Sequence, residues 1–245
     1  MFRRVILIAS LAALGLVGGG PASAASAATP SATVRACTTG DTPDARNAIF
    51  YGRMKTLGKT ETMRMRFTVF QRFGDSKVRS VLIPELRTWR NSKPGVRVFG
   101  YAQTVAGLEA GGEYRARVEF RWLDKDGNLL RRSAKLTKPC KMPGDLADLG
   151  PLGATSSAGP VLGTSIYTLT IRNRGKVAAR DIAVELFVDG AATDLGHIDV
   201  LEPGQQKEVR ISGPLCQRRL RVVVDPNDVI HEESELDNST ILQCP

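Results

Sequence analysis

Histidine is nearly absent from this 245-residue chain: His197 and His231 are the only two. A Ser/His/Asp nucleophile arrangement therefore has few possible bases. The chain also lacks a Gly-x-Ser-x-Gly elbow, a His-Glu-x-x-His pair and a phosphate-binding glycine loop. The usual local signatures of hydrolases, zinc proteases and nucleotide enzymes are thereby missing. Aromatic residues make up 6% of the chain. That is thin material for the stacked aromatic ladder with which proteins grip single-stranded nucleic acid, and nucleic acid is not an expected partner. Beyond the N-terminus no long apolar run occurs, so no transmembrane segment is expected in the mature chain.

The N-terminal residues carry an address. Arg3 and Arg4 precede an apolar run from Val5 to Val17, followed by Ala22-Ser23-Ala24 and Ala25-Ser26-Ala27. This is the layout of a cleaved secretory signal peptide over residues 1–27, and it predicts a secreted or cell-surface protein. Residues 28–33 are small and polar and read as a flexible lead-in. Four cysteines, Cys37, Cys140, Cys216 and Cys244, fit export, where disulfides persist. They allow three pairings. Cys37 with Cys140 and Cys216 with Cys244 keep each bridge inside one proposed domain. A zinc site is the alternative, without a Cys-x-x-Cys pair to support it.

Short alternating runs predict an all-β chain of two tandem β-sandwich domains, over 34–142 and 145–245, split at Pro143-Gly144. In the first, Met63, Met65, Phe67 and Val69 alternate with polar residues. Tyr114, Ala116, Val118, Phe120 and Trp122 alternate with Arg115, Arg117, Glu119 and Arg121. Each is a half-buried strand. A turn at Asp124 to Asn128 leads into a return run from Leu129 to Leu136. Leu108, Gly111, Gly112 and Tyr114 form a pattern that resembles fibronectin type III domains over residues 60–137, with Tyr114 as the corner tyrosine. The chain departs from that pattern in Ala110, where proline is common, and in having Phe67 where an early tryptophan stands.

The second half carries Asn173-Arg174-Gly175 after an alternating strand, Leu201-Glu202-Pro203-Gly204 before another, and Val224-Asp225-Pro226 followed by Glu232, Glu235, Asp237 and Asn238. Asn173, Gly175, Pro203 and Gly204 suit turn conformations closed to bulky residues. In order and spacing this half resembles the CARDB family, the cell adhesion related domain found in bacteria. Ser234 and Asp237 stand where the family carries asparagine. The resemblance implies a seven-stranded immunoglobulin-like sandwich serving as an adhesive or accessory module.

Two features bear on function. Asp225, Asn227, Asp228 and Glu232 head an acidic cluster of the hard-oxygen kind that calcium takes, although turn residues of this type also cap backbone; no other cofactor is implied. The charge is also divided. Residues 31–144 hold 23 Lys/Arg and 10 Asp/Glu, a net of +13, whereas residues 145–245 hold 9 and 15, a net of −6. A basic first domain attracts polyanions. Arg64 and Arg66 on one strand, and Arg115, Arg117 and Arg121 on another, are the expected contacts with anionic cell-envelope polymers. The opposite charges also allow the two domains to attract each other. For the second domain, the loops 173–178, 189–194 and 225–233 are the expected sites for an extracellular protein or glycan. The function expected is that of a non-enzymatic binding or adhesion module. The alternatives are an accessory subunit of an extracellular hydrolase or surface complex, and a carboxylate-dependent hydrolase.

Overall fold

The computed structural model describes residues 29–245; the signal peptide expected over 1–27 lies outside the described residues. The first domain is built from β1 (Ser31–Thr38), β2 (Asn47–Lys55), β3 (Thr62–Phe73), β4 (Arg79–Ser80), β5 (Arg90–Asn91), β6 (Val98–Ala106), β7 (Gly112–Leu123), β8 (Leu129–Leu136) and β9 (Cys140–Lys141). The second contains β10 (Leu149–Ala158), β11 (Thr164–Asn173), β12 (Ala179–Val188), β13 (Ala191–Leu201), β14 (Gln206–Pro214), β15 (Arg219–Val224) and β16 (Ser239–Gln243).

Both domains solve the same topological problem in the same way. In the first, sheet β1-β2-β6 faces sheet β4-β3-β7-β8, with β5 on β3 and β9 on β7. In the second, β10-β11-β14 faces β13-β12-β15-β16. β3 carries β4 and β12 carries β13 on the outer edge, and β7 with β8, and β15 with β16, extend the larger sheet on the other side. This is the seven-position sandwich of immunoglobulin-like folds. Among the described residues no helix is long and apolar enough to cross a membrane.

The period of two decides which side chains fill each core. Phe50, Met63, Met65, Phe67, Val118, Phe120 and Trp122 are all buried in the first domain. Tyr167, Leu169, Ile171, Val184, Leu186, Leu220, Val222 and Val224 do the same in the second. Each such large side chain stabilises its domain by roughly 1.5–3 kcal/mol relative to exposure. The Trp122 indole N–H meets the Lys55 carbonyl at 2.7 Å, so its one polar atom is satisfied. The Tyr114 hydroxyl accepts from the Glu109 N–H at 2.9 Å, which ties the loop before β7 to the core. The β7–β8 turn is held by Asp124, whose carboxylate accepts from the N–H groups of Asp126 and Asn128, while Gly127 supplies the positive φ of 82°.

Disulfides join Cys37 to Cys140 and Cys216 to Cys244. The first ties β1 to β9 across a separation of 103 residues. The flexible lead-in expected over 28–33 is corrected here: Ser31, Ala32 and Thr33 already pair with Arg53, Gly52 and Tyr51 of β2. Small residues fit that edge, and the Cys37 tether holds the strand in place.

Candidate functional site

β3 and β7 pair antiparallel over their whole length, from Thr62 opposite Leu123 to Phe73 opposite Gly112. Their apolar residues point into the core, so their alternate residues share the outer face. Arg64, Arg66, Arg115, Arg117 and Arg121, read from sequence as lining two separate strands, therefore form one surface. β8 extends it, because Arg132 lies opposite Arg121, which in turn lies opposite Arg64. Three guanidinium groups thus stand in register across adjacent strands spaced about 4.8 Å apart. Like charges directly opposite one another destabilise a sheet. Only two carboxylates answer them on this face. Glu119 pairs with Arg66, and Glu113 with Arg115 at 2.8 Å and Arg72 at 3.5 Å. Among the described residues Arg64, Arg117, Arg121 and Arg132 form no ion pair, and the enclosed Arg64 Nε has no hydrogen-bond partner.

Trp89, just before β5, lies on this face. The Arg121 guanidinium carbon is 4.4 Å from its ring centre and that of Arg66 is 4.7 Å away. Such contacts hold guanidinium groups in place at about 0.5–1 kcal/mol each when exposed. A groove of about 340 Å³ runs alongside, lined by Trp89, Arg117, Glu119, Arg121, Arg132 and Ser133 among others. A second hollow of about 310 Å³ lies farther along the same face, lined by Phe70, Val78, Leu136, Arg72, Arg115 and Glu113 among others. Periodicity could not single out Trp89 or Arg132, because Trp89 sits in a connection and Arg132 is one of two adjacent arginines.

The acidic cluster has a different fate. Glu232 is fully buried and accepts from the Leu149 N–H and, at 3.0 Å, from the Asn238 side-chain amide. Burial pushes its carboxyl up to about 8. Glu235 is raised to about 7, first by burial and then by the charge of Asp228. Asp225 accepts from the Ile230 N–H at 2.7 Å, Asp228 pairs with Arg79 at 2.7 Å, and the Asn227 carbonyl faces Arg79 at 3.5 Å. Asp225, Asp228 and Glu232 thus have side-chain partners in the protein, Asn227 has one at its main-chain carbonyl, and the three carboxylates are not among the described groups close enough to share an ion. Among the described residues the one set of three His, Cys, Asp or Glu donors close enough to share an ion is Asp189 with Cys216 and Cys244. The sulfurs of that set are tied up in a disulfide. These groups do not fit a calcium cage. Asn238, first residue of an Asn-Ser-Thr sequon, is also buried and bonded inward.

What the cluster builds is the joint between the domains. The His231 ring stacks on Phe73 with centres 3.6 Å apart and planes 5° from parallel, and its Nε2 lies 2.9 Å from a Glu109 oxygen. Asp75 accepts from the Ser234 hydroxyl at 3.1 Å and the Glu235 N–H at 2.6 Å. Gly74, at φ 45°, has the Glu232 and Glu233 carbonyl oxygens where a side chain would begin, so any larger residue would part the domains. Asp225 and Asp228 adopt the left-handed φ values 43° and 52° that aspartate tolerates better than most residues. A double-mutant cycle on Arg79 and Asp228 should give a coupling of about 0.2–1 kcal/mol. Removing the His231 ring should cost about 0.5–1.5 kcal/mol more. The combined variant should show faster proteolysis at the 142–146 junction and a larger radius by X-ray scattering. Unchanged cleavage would mean that the joint lies elsewhere.

The joint also corrects the expected binding loops. Residues 225–233 pack against the first domain. Loop 173–178 is held at the same end, where Gly175 abuts the backbone of Leu146 to Asp148. The loop expected over 189–194 shrinks to a two-residue turn, Asp189-Gly190, with φ 52° and 97°, because β13 starts at Ala191. Asp189 then accepts from the N–H groups of Gln217, Arg218 and Arg219. The free end of the second domain is the opposite one, and Val161, Leu162 and Leu215 are exposed there.

Residues 147–241 match the CARDB family model. Among solved structures, a domain named as part of a cell surface protein of Methanosarcina acetivorans is similar at 26% identity, covering 41% of this chain and 93% of that one, with a TM-score of 0.35. The exo-chitosanase CsxA of Amycolatopsis orientalis aligns at 12% identity over 82% of this chain, with a TM-score of 0.29, and this chain spans 25% of it. The central fibronectin III array of RIM-binding protein aligns at 17% identity, over 88% of this chain and 63% of that one, with a TM-score of 0.23. Among curated proteins none matches the chain.

Proposed function

We propose that this protein is an extracellular, non-catalytic adhesion-type module, in which the first domain holds anionic polymers of the cell envelope and the CARDB-matching domain meets a protein or glycan partner. One observation carries the reading: the exposed Arg132 and Arg121 stand in register with the half-buried Arg64 on the outer sheet face, and among the described residues none of the three has a carboxylate partner. A bound polyanion would relieve that repulsion and gain charge-assisted hydrogen bonds from planar guanidinium forks. The disulfides suit an oxidising compartment. The joint directs the free end of the second domain, with Leu162 and Leu215, away from the first, which leaves that end open to a partner. The carboxylate-hydrolase alternative finds no support in the cluster, since Glu232 is buried and Asp228 is engaged by Arg79. An accessory role beside an extracellular enzyme would use the same two surfaces.

Sedimentation of the full mature chain with isolated cell walls, across a salt series, tests this reading. The wild type should go down at low salt and be released as screening grows. The variant R64Q/R121Q/R132Q should bind at least about tenfold more weakly. If the wild type stays in solution at low salt, or if the variant sediments as well as the wild type, the proposal is wrong.

A further inference from the structure

We infer that the groove beside Trp89 is a subsite for a carboxylated sugar, a uronate residue of an acidic polysaccharide. The inference rests on the polyanion reading of this face and names the polymer class. A charged face alone would attract any polyanion, because guanidinium forks match carboxylates and phosphates alike. Trp89 narrows the choice. It is half-buried, fixed over Arg66 and Arg121, and lies on the wall of a groove shared with Arg117, Arg132, Ser133 and Glu119, whose carboxylate is held by Arg66. The part of the indole not covered by those two guanidinium groups is a flat apolar surface with one polar edge, which suits the flat carbon–hydrogen face of a sugar ring. The arginines then meet the ring's carboxylate, two parallel N–H groups to its two oxygens. The Ser133 hydroxyl adds a donor and acceptor of the kind that a sugar's hydroxyl groups use.

Other polyanions fit less of this arrangement. A glycerol-phosphate chain has charge but no ring to lay on the indole. A single-stranded nucleic acid wants several aromatic platforms in succession, and this groove has Trp89 as its one indole. The groove, at about 340 Å³, sits at the small end of ligand sites and suits a short stretch of saccharide.

The two tryptophans make the test direct. Trp122 is fully buried in the core, so a change in indole fluorescence on adding ligand reports Trp89. Oligogalacturonate should shift that fluorescence in the full chain and bind at least tenfold more tightly than its methyl ester, a glycerol-phosphate polymer of equal charge, or an oligonucleotide. Trp89→Ala should lose the preference for the uronate, and Arg132→Gln should weaken uronate binding with Trp89 still present. Melting curves would establish that both variants fold. Equal binding of uronate, phosphate polymer and oligonucleotide by the wild type, or an undiminished uronate preference in Trp89→Ala, would overturn the subsite and leave the wider polyanion reading standing. If the wild type binds none of these polyanions at low salt, that wider reading falls with it.

Discussion

Raising the pH from 5 to 8 weakens the second domain steadily, and Glu232→Gln removes most of that slope. In the folded chain the Glu232 carboxyl is held up to about 8 by burial, against an ordinary value of 4.5. Between those values the folded state keeps a proton that the unfolded state has released. Stability is therefore full below about 4.5, falls through the window, and levels off above about 8. At full slope each pH unit costs about 1.4 kcal/mol. Glu235, raised to about 7, pulls in the same direction. The acidic groups that face this pair are Asp225, Asp228 and Asp75, which disfavour a second ionisation, while the nearby Arg79 guanidinium is paired with Asp228 at 2.7 Å. Glutamine keeps an oxygen for the Leu149 N–H. Its amide nitrogen then faces the Asn238 amide, which must turn over to present the oxygen that is buried without a partner. Urea melts at pH 5, 6, 7 and 8 would check this. A wild-type midpoint that is flat across the range, or a Glu232→Gln variant with the wild-type slope, would refute it.

The second large effect is expected at Asn173. Its side chain is fully buried and makes four hydrogen bonds to backbone. The oxygen accepts from the N–H groups of Asp148 at 3.2 Å and Gly175 at 3.0 Å, and the amide donates to the carbonyls of Val177 at 2.8 Å and Leu201 at 2.9 Å. Asn173→Ala removes the side-chain partner of four backbone groups, two in buried bonds and two in part-buried ones, and a buried group left unpaired carries a penalty of about 1–3 kcal/mol. Partial relaxation lowers the sum, and a loss of about 3–5 kcal/mol is expected. That is a large share of the roughly 5–15 kcal/mol that holds a domain together. Asn173→Asp keeps the acceptors, loses the donors and adds a buried charge, so it should do no better. Denaturant unfolding that places Asn173→Ala within about 1 kcal/mol of the wild type would show that the network is dispensable.

These two residues explain what the motifs of the second domain are for. The Gly204 N–H donates to the Asn173 carbonyl at 2.8 Å, and the Asn173 N–H to that of Gln205 at 3.0 Å. Glu232 and Asn238 close the same end of the sandwich around Leu149. The Asn-x-Gly turn, the Leu-x-Pro-Gly turn and the terminal acidic run are therefore one connected polar knot. They staple strand ends together and set the surface against which the first domain packs.

Much of the architecture could be read from the chain itself. Alternation along Met63 to Val69 and Tyr114 to Trp122 names the strands and their buried faces, because side-chain direction in a strand depends only on parity. Four cysteines split evenly between two units leave one pairing that respects both, and the disulfides follow it. Motif order in residues 145–245 points to the family that matches 147–241. Tertiary structure alone decided the rest. Parity says that Arg64 and Arg121 face outward, but only the register of β3 on β7 puts them side by side, with Arg132 of β8 beside them. Trp89 lies outside every periodic run, so its place over those arginines comes from the path of a connection. The acidic run looks like an ion site in one dimension because sequence lists oxygens without their partners. In three dimensions Arg79, Phe73, Asp75 and Leu149, all distant along the chain, meet that run and turn it into a joint.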